Sequence, residues 1–333
     1  MSSKVTLRLI GCGGAGINLV SKFEDIKNKD TYNFAQMELC YVDTSSSNIR
    51  SKNIPEESLF LFEGMDGSGK IRSANASEVS KNSLAILQRF TPGAVNIVVH
   101  SGSGGSGSVV GPSLVSELKK KGEQVIVIII GSTDTIIETK NTYKTLETYE
   151  SISKLRSSSV VTHYLENQNK GRGATDSLVV YSITMLAGLY CGNHAELDSA
   201  DLKSWLNFAT TTTPTPTIAS LTFHTSKEEM AELDKVVSVA TLATNNMVTR
   251  IDPPPPYQAV GFVPDAWSVG SVNSLNLIDK DPLHFAISFD LLKNAYASLK
   301  AKVQENEENI ASLVNTNTVF NSDAKSTDNG LVL

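Results

Sequence analysis

The run Ser103-Gly104-Gly105-Ser106-Gly107-Ser108 has the chemistry of an anion site. Glycine tolerates the backbone angles that let successive N–H groups converge, and serine hydroxyls add donors that phosphate oxygens accept. The run follows Val95-Asn96-Ile97-Val98-Val99, which reads as a buried strand. It precedes 109–121, where Val110, Leu114, Val115 and Leu118 recur at helical spacing. A helix start adds about half a positive charge at the same point. A flexible Gly/Ser linker has a similar composition, but a linker does not normally join a core strand to an amphipathic helix. The arrangement predicts phosphate binding.

A second arrangement of this kind stands near the start of the sequence. The strand pattern 5–10 runs into Gly11-Cys12-Gly13-Gly14-Ala15-Gly16 and then a helix over 17–27 that carries Asn18. Gly11, Gly13 and Gly16 satisfy G-x-G-x-x-G, and Asp43 ends the next strand, 39–42. Alone, this fingerprint points to a dinucleotide site and an NAD-dependent dehydrogenase. Two nests on neighbouring strands suit a chain of phosphates held from both sides, as in a nucleoside triphosphate. A third cluster, Gly64-Met65-Asp66-Gly67-Ser68-Gly69-Lys70, fits G-x-x-x-x-G-K, but Ile71 stands where a P-loop needs a hydroxyl for magnesium. What remains is a loop, Gly67-Ser68-Gly69-Lys70, carrying Lys70 and Arg72 toward the terminal phosphate, or a solvated turn.

These loops need a scaffold. Strand patterns fall near 5–10, 36–42, 59–62, 95–99, 124–130 and 159–164, with helical patterns between them. The run 124–130 is apolar on both faces, as a central parallel strand requires. The pattern predicts a doubly wound parallel-sheet α/β domain over 1–172, whose ligands sit at the carboxyl ends of the strands. A helix over 174–190 is apolar on nearly all faces and belongs between two domains. It occupies a central core segment, 173–192, followed by an acidic loop and helix over 193–209. A smaller α+β second domain covers 210–290, with a strand at 217–224, a helix at 227–239 and a strand at 285–289. Pro253–Pro256 forms a stiff connector. A long helix over 291–314 leads to a polar, acidic tail, 315–333.

Composition narrows the function. The chain has 333 residues, 40% hydrophobic and 19% charged, with a net charge of -6. That balance, without a basic run, argues against nucleic acid as a partner. The 3 cysteines are too scattered for a disulfide framework or a zinc site, which fits a reducing compartment. The 5 histidines show no ligand spacing. No apolar run reaches the roughly 18 residues of a membrane span, and the start has no signal-peptide pattern. The expectation is a cytoplasmic protein with no membrane partner.

The two nests, the buried helix and the acidic segment after it resemble the tubulin/FtsZ superfamily. That family's signature is a small residue, Gly-Gly, Thr, Gly, Ser or Ala, then Gly. Here it reads Ser103-Gly104-Gly105-Ser106-Gly107-Ser108-Val109, with Ser106 for the Thr and Val109 for the last Gly. Gly11 to Asn18 matches the family's first loop at the same spacing. The length, the 66–70 loop and the long last helix with its acidic tail look most like the tubulins of large bacteriophages.

The resemblance implies a GTPase that assembles head to tail, binding GTP or GDP with Mg2+ expected and with itself as partner. The acidic loop of one subunit completes the site of the next, and the tail docks on a neighbouring subunit. It places the protein in the host cytoplasm if phage-encoded. The matching catalytic residues are Asp198 and Asp201, and Glu196 departs from the family's asparagine. Two carboxylates three residues apart share a helix face and suit the orientation of a water, with its proton accepted as charge builds. They equally suit a helix N-cap and a first-turn acid. An aspartate only accepts hydrogen bonds, so it fits the two donors on guanine's Watson–Crick edge. Asp176, heading the buried helix, is the candidate, with Asn167 as a second contact and Thr175 as the alternative one residue away. Ser132, Thr133, Asp134 and Glu138, after the fifth strand, fit the ribose, or are turn and helix-start acids.

Overall fold

A computed structural model describes residues 5–27, 35–50, 52–167, 171–212, 215–263 and 281–316. Strands and helices alternate through the first half: β1 (Thr6–Cys12), α1 (Gly13–Val20), β2 (Gln36–Asp43), β3 (Leu59–Leu61), α2 (Arg72–Arg89), β4 (Val95–Ser101), α3 (Gly107–Lys120), β5 (Val125–Ser132), α4 (Ile136–Arg156), β6 (Val160–Asn167) and α5 (Arg172–Leu189). The strands are parallel in the order β3-β2-β1-β4-β5-β6. All eight residues of β5 are buried, as an apolar run covered on both faces must be. Residues of α1 and α5 pack one face, and those of α2, α3 and α4 pack the other.

The strand order reverses between β1 and β4, the switch point at which such sheets bind ligands. Gly11 pairs with Val99 and Cys12 with His100, so both glycine-rich loops leave the sheet side by side. A Cβ on Gly16 would lie 2.1 Å from the Val99 carbonyl oxygen. That absence lets α1 press onto β4.

The second half contains α6 (Ser199–Leu206), α7 (Ala209–Thr212), β7 (Ile218–His224), α8 (Lys227–Ala231), β8 (Val236–Ala243), β9 (Tyr257–Phe262), β10 (Leu283–Ser288) and α9 (Asp290–Thr316). Its strands extend the same sheet in the order β7-β10-β8-β9, since β7 pairs in parallel with β6. The strand β10 is antiparallel to both neighbours. The expected helix over 227–239 is wrong past Ala231. Lys235 adopts a left-handed φ of 50°, and the next residues form β8. Val236, Val237, Val239 and Thr241 are β-branched, and the strand pairs with β10 on one side and, from Ser238 onward, with β9 on the other. The strand β9 is also absent from the sequence reading.

Helix α5 buries Val179, Ile183, Met185, Leu186 and Leu189, while Leu178 faces solvent. Burial is all round from Ser182 to Leu189, as expected, and confined to one side only in the first turns. Trp205 is a core residue, its Nε1–H donating to the Phe285 carbonyl at 3.1 Å. Helix α9 lies antiparallel to α4. The Tyr296 and Tyr143 hydroxyls meet at 3.0 Å, and further along Glu307 pairs with Lys140 at 3.0 Å. The tail from 317 onward lies outside the described residues. Among the described residues no helix is long and apolar enough to cross a membrane.

Candidate nucleotide site

The two nests are in backbone contact. Gly13 has φ +68°, and a Cβ there would meet the Gly107 nitrogen at 2.8 Å; one on Gly107 would meet the Cys12 carbonyl oxygen at 2.7 Å. Helices α1 and α3 begin at this junction with neither a side-chain cap nor an acidic residue in the first turn. Their N-terminal N–H groups and dipoles are left for an anion. By contrast α4 and α6 start on capping side chains, Thr135 and Asp198. Gly13→Ala is expected to abolish tight nucleotide binding and to cost about 1–3 kcal/mol of stability through strain. Titration with a fluorescent guanine nucleotide and a melting curve check both.

A cleft of ≈ 600 Å³ opens over the junction. Its walls include Cys12, Gly13, Gly14, Asn18, Ser68, Lys70, Ser103, Gly104, Gly105, Ser106, Gly107, Ser132, Glu138, Asn167 and Asp176, brought together from six loops and helix starts. The other expected residues stand behind it or apart. Gly11 is buried at the end of β1, where a Cβ would strike the Gly16 carbonyl. Ser108 is buried in the first turn of α3, donating to the Gly105 carbonyl at 3.1 Å. Asp43 does not line the cleft. Its carboxylate accepts from Thr44 N–H at 2.7 Å and from Asn48 Nδ2 at 2.8 Å, so it orients Asn48, which does. Burial raises the Asp43 carboxyl above the usual range, against those bonds. Gly67 and Gly69 shape the loop through positive φ and do not line the wall.

Lys70 and Glu138 meet within the cleft, Nζ to Oε1 at 2.8 Å. Glu138 also accepts from Thr135 Oγ1 at 3.1 Å and Ser132 Oγ at 3.4 Å. Burial would raise this carboxyl, but these bonds and the lysine charge outweigh it and hold it below the ordinary glutamate range. Thr133 turns away to donate to Glu166 at 2.9 Å, and Asp134 is exposed. Arg72 does not reach toward a phosphate as expected. Its guanidinium donates to the Asn141 carbonyl, to Thr145 and to Thr148, all on α4.

At the far end of the cleft stand Asn167, Arg172 and Asp176. The Asn167 Oδ1 is buried without a hydrogen-bond partner among the described residues. Asp176 lies 3.7 Å from Lys22, whereas Thr175 is buried away from the cleft. Sequence reasoning missed Ser47, Asn48 and Lys52, whose Nζ donates to Asn18 Oδ1 at 2.9 Å. No glycine or spacing signal marks them, because they arrive from the loop after β2. His100 is structural: it is buried against Tyr149 (2.6 Å), and burial lowers its pKa to about 4.

Asp198 and Asp201 are not in this cleft. They form a capping box on α6, in which Asp198 Oδ1 accepts from Ala200 N–H at 2.8 Å and Asp201 N–H at 2.9 Å. Asp201 Oδ2 accepts from Asp198 N–H at 3.1 Å. These backbone bonds hold the Asp198 carboxyl low; Asp198 is exposed, and Asp201 is half-buried, with the Tyr257 hydroxyl donating to its backbone carbonyl at 3.2 Å. Asp198 shares a separate cleft with Thr6, Glu38, Ala94 and Tyr190, at the amino ends of β1, β2 and β4. Asp176 heads α5 at the carboxyl ends of the strands. The 18 residues of α5 separate the two clefts by about 27 Å.

Two abutting backbone nests at the switch point of a doubly wound sheet, with a lysine at one end of the cleft and an acceptor-only carboxylate at the other, define a nucleotide-binding protein. Comparison with known proteins narrows the class. Residues 6–170 match the Tubulin/FtsZ family, GTPase domain. A phage tubulin-like protein of Pseudomonas phage phiKZ is 31% identical, over 74% of this chain and 76% of its own length. Another, of Pseudomonas phage PhiPA3, is 28% identical over 99% of this chain and 100% of its own. The protofilament structure of TubZ from Bacteriophage PhiKZ superposes with a TM-score of 0.82 at 26% identity, covering 99% of this chain and 100% of that one. The chain belongs to the tubulin/FtsZ family of GTPases, among its phage tubulin-like members. The dinucleotide reading of Gly11–Gly16 gives way to this one.

Proposed function

We propose that the chain binds GTP in the cleft over the two nests and hydrolyses it only when a second subunit caps that cleft with Asp198 and Asp201. The observation that carries this reading is the separation along α5. An acidic pair at the opposite end of the molecule has no path to the nucleotide of its own subunit, but head-to-tail stacking brings it to the next one. The protofilament form of the phiKZ relative supports the same arrangement. The nests hold the phosphates, Lys70 reaches the terminal phosphate on release from Glu138, and Asp201 of the adjoining subunit orients the attacking water. Among the described residues no three His, Cys, Asp or Glu side chains gather to hold a metal. The hydroxyl-lined cleft fits a magnesium ion ligated mainly by triphosphate and water, where it would neutralise phosphate charge. Phosphate release per subunit should rise steeply with protein concentration and follow light scattering. A rate per subunit independent of concentration would sink the shared-site reading.

Asp176 selects guanine by accepting from its two Watson–Crick donors, with Asn167 beside it. Asp176→Asn is expected to erode the preference for GTP over ATP by about tenfold or more. Equal competition by ATP and GTP against the unmodified protein would exclude the assignment. The named relatives are proteins of Pseudomonas phages. Filaments of this chain accordingly position phage components in the cytoplasm of an infected bacterium.

A further inference from the structure

Two buried asparagines behind the cleft have no assigned role. Asn141, on α4, spends both donors of its side-chain amide on carbonyls of two different loops: Nδ2 to Lys70 O at 2.8 Å and to Ser103 O at 3.0 Å. Asn75, on α2, does the same earlier in the loop. Its Nδ2 donates to Gly67 O at 3.1 Å and to Thr44 Oγ1 at 3.1 Å. Thr44 Oγ1 in turn lies 2.6 Å from Ser106 Oγ. The 64–70 loop is thus tied to the 103–108 nest at two points.

Between those ties the backbone is unusual. Gly67, Gly69 and Lys70 all have positive φ, at 78°, 55° and 65°. Lys70 is not a glycine, and such a conformation persists only where its surroundings over-determine it. The Asn141 bond to the Lys70 carbonyl is one such constraint. The other is the Lys70 ammonium on Glu138, one turn earlier on the same helix. One face of α4 therefore holds both the backbone and the side chain of the loop's only cation.

We infer that Asn141, seconded by Asn75, is a positioning residue that sets the preference for a triphosphate over a diphosphate, which rests on the proposed role of Lys70 at the terminal phosphate. The amide touches the nests that hold the inner phosphates only at the Ser103 carbonyl, which is an acceptor and not one of the N–H groups that face a phosphate, so those N–H groups do not need it. Only the aim of Lys70 does. Loss of Asn141 lets Lys70 relax out of its left-handed φ and carries the ammonium away from the third phosphate.

The test is a set of equilibrium titrations of the full chain, below its assembly concentration, with fluorescent GDP and a non-hydrolysable fluorescent GTP analogue. Lys70→Ala should lower the triphosphate-to-diphosphate affinity ratio tenfold or more. Asn141→Ala should lower it comparably with GDP affinity held within twofold, and the double variant should add little to either. Asn141→Asp keeps the shape but faces two carbonyls with acceptors, so it should be worse than alanine. Asn75→Ala, with a milder loss of the same kind, keeps the test open if the Asp variant does not fold. GTP-analogue and GDP affinities falling together in Asn141→Ala would overturn the inference, leaving a merely structural amide. An unchanged ratio in Asn141→Ala beside a lowered one in Lys70→Ala would also overturn it and leave the Lys70 reading standing. An unchanged ratio in Lys70→Ala would remove both.

Discussion

Asp201→Asn is expected to bind GTP and assemble normally while releasing phosphate at least about 10²-fold more slowly, the lower range for losing a positioned proton acceptor. The substitution separates the two roles that the residue holds. Asp201 Oδ2 accepts from the Asp198 backbone N–H, and an asparagine oxygen can make the same bond. The capping box on α6 and the melting temperature should therefore survive. What asparagine cannot do is take a proton or carry the charge that aligns water against a phosphate. Filaments should grow and then persist, since the terminal phosphate whose loss weakens the contact stays in place. Asp198→Asn is the partner experiment, because asparagine caps a helix as well as aspartate does. Phosphate release measured on pelleted polymer decides it. Retained hydrolysis in both variants means that the pair only caps α6.

The first half of the fold is legible in the sequence because each β–loop–helix unit carries its own signal. Apolar runs such as 95–99 and 124–130 mark buried strands, and the glycines between strand and helix mark the turns. The nests can be located for the same reason: a backbone that must pack against backbone at Gly13 and Gly107 admits no side chain, and that requirement is written as glycine. The wall contributed by Ser47, Asn48 and Lys52 carries no such mark, since any loop tolerates those residues. Arg72 is misplaced by the sequence because loop position says nothing of side-chain direction, which here is settled by three acceptors on α4. The strand β8 reads as helix because Lys227–Ala231 does begin one, with Ser226 as its cap. Only pairing with β10 and β9, distant in sequence, decides the rest. The acids at 198 and 201 are found through family likeness, and their distance from the cleft could come from the fold alone.

Truncation after Leu313 is expected to leave a folded, GTP-binding monomer whose critical concentration for assembly rises at least about tenfold, which corresponds to about 1.4 kcal/mol per contact. Folding should be kept because α9 is anchored well upstream, by Leu292 and Leu299 in the core, by Tyr296 on Tyr143 and by Glu307 on Lys140. Assembly should suffer because of where the helix points. Running antiparallel to α4, it passes the start of that helix, which lies at the carboxyl ends of the strands beside the nucleotide cleft. The nine helical steps from Glu307 to Thr316 carry the chain about 14 Å further the same way. Thr316 therefore lies at the end of the subunit that a neighbour's Asp198 face covers in the proposed stacking, with residues 317–333 still to follow. The sequence there joins apolar Val319, Phe320, Leu331, Val332 and Leu333 to the acids Asp323 and Asp328. Such a segment suits a groove edged with lysines, gaining apolar burial of about 1.5–3 kcal/mol per large side chain and losing part of it to ordering. Raised salt should accordingly weaken assembly of the intact chain by screening the acids, and affect the truncated chain less. Pelleting with GTP across a concentration series gives the answer. Equal critical concentrations for the two chains would mean that the tail is a tether for a different partner and adds nothing to the filament.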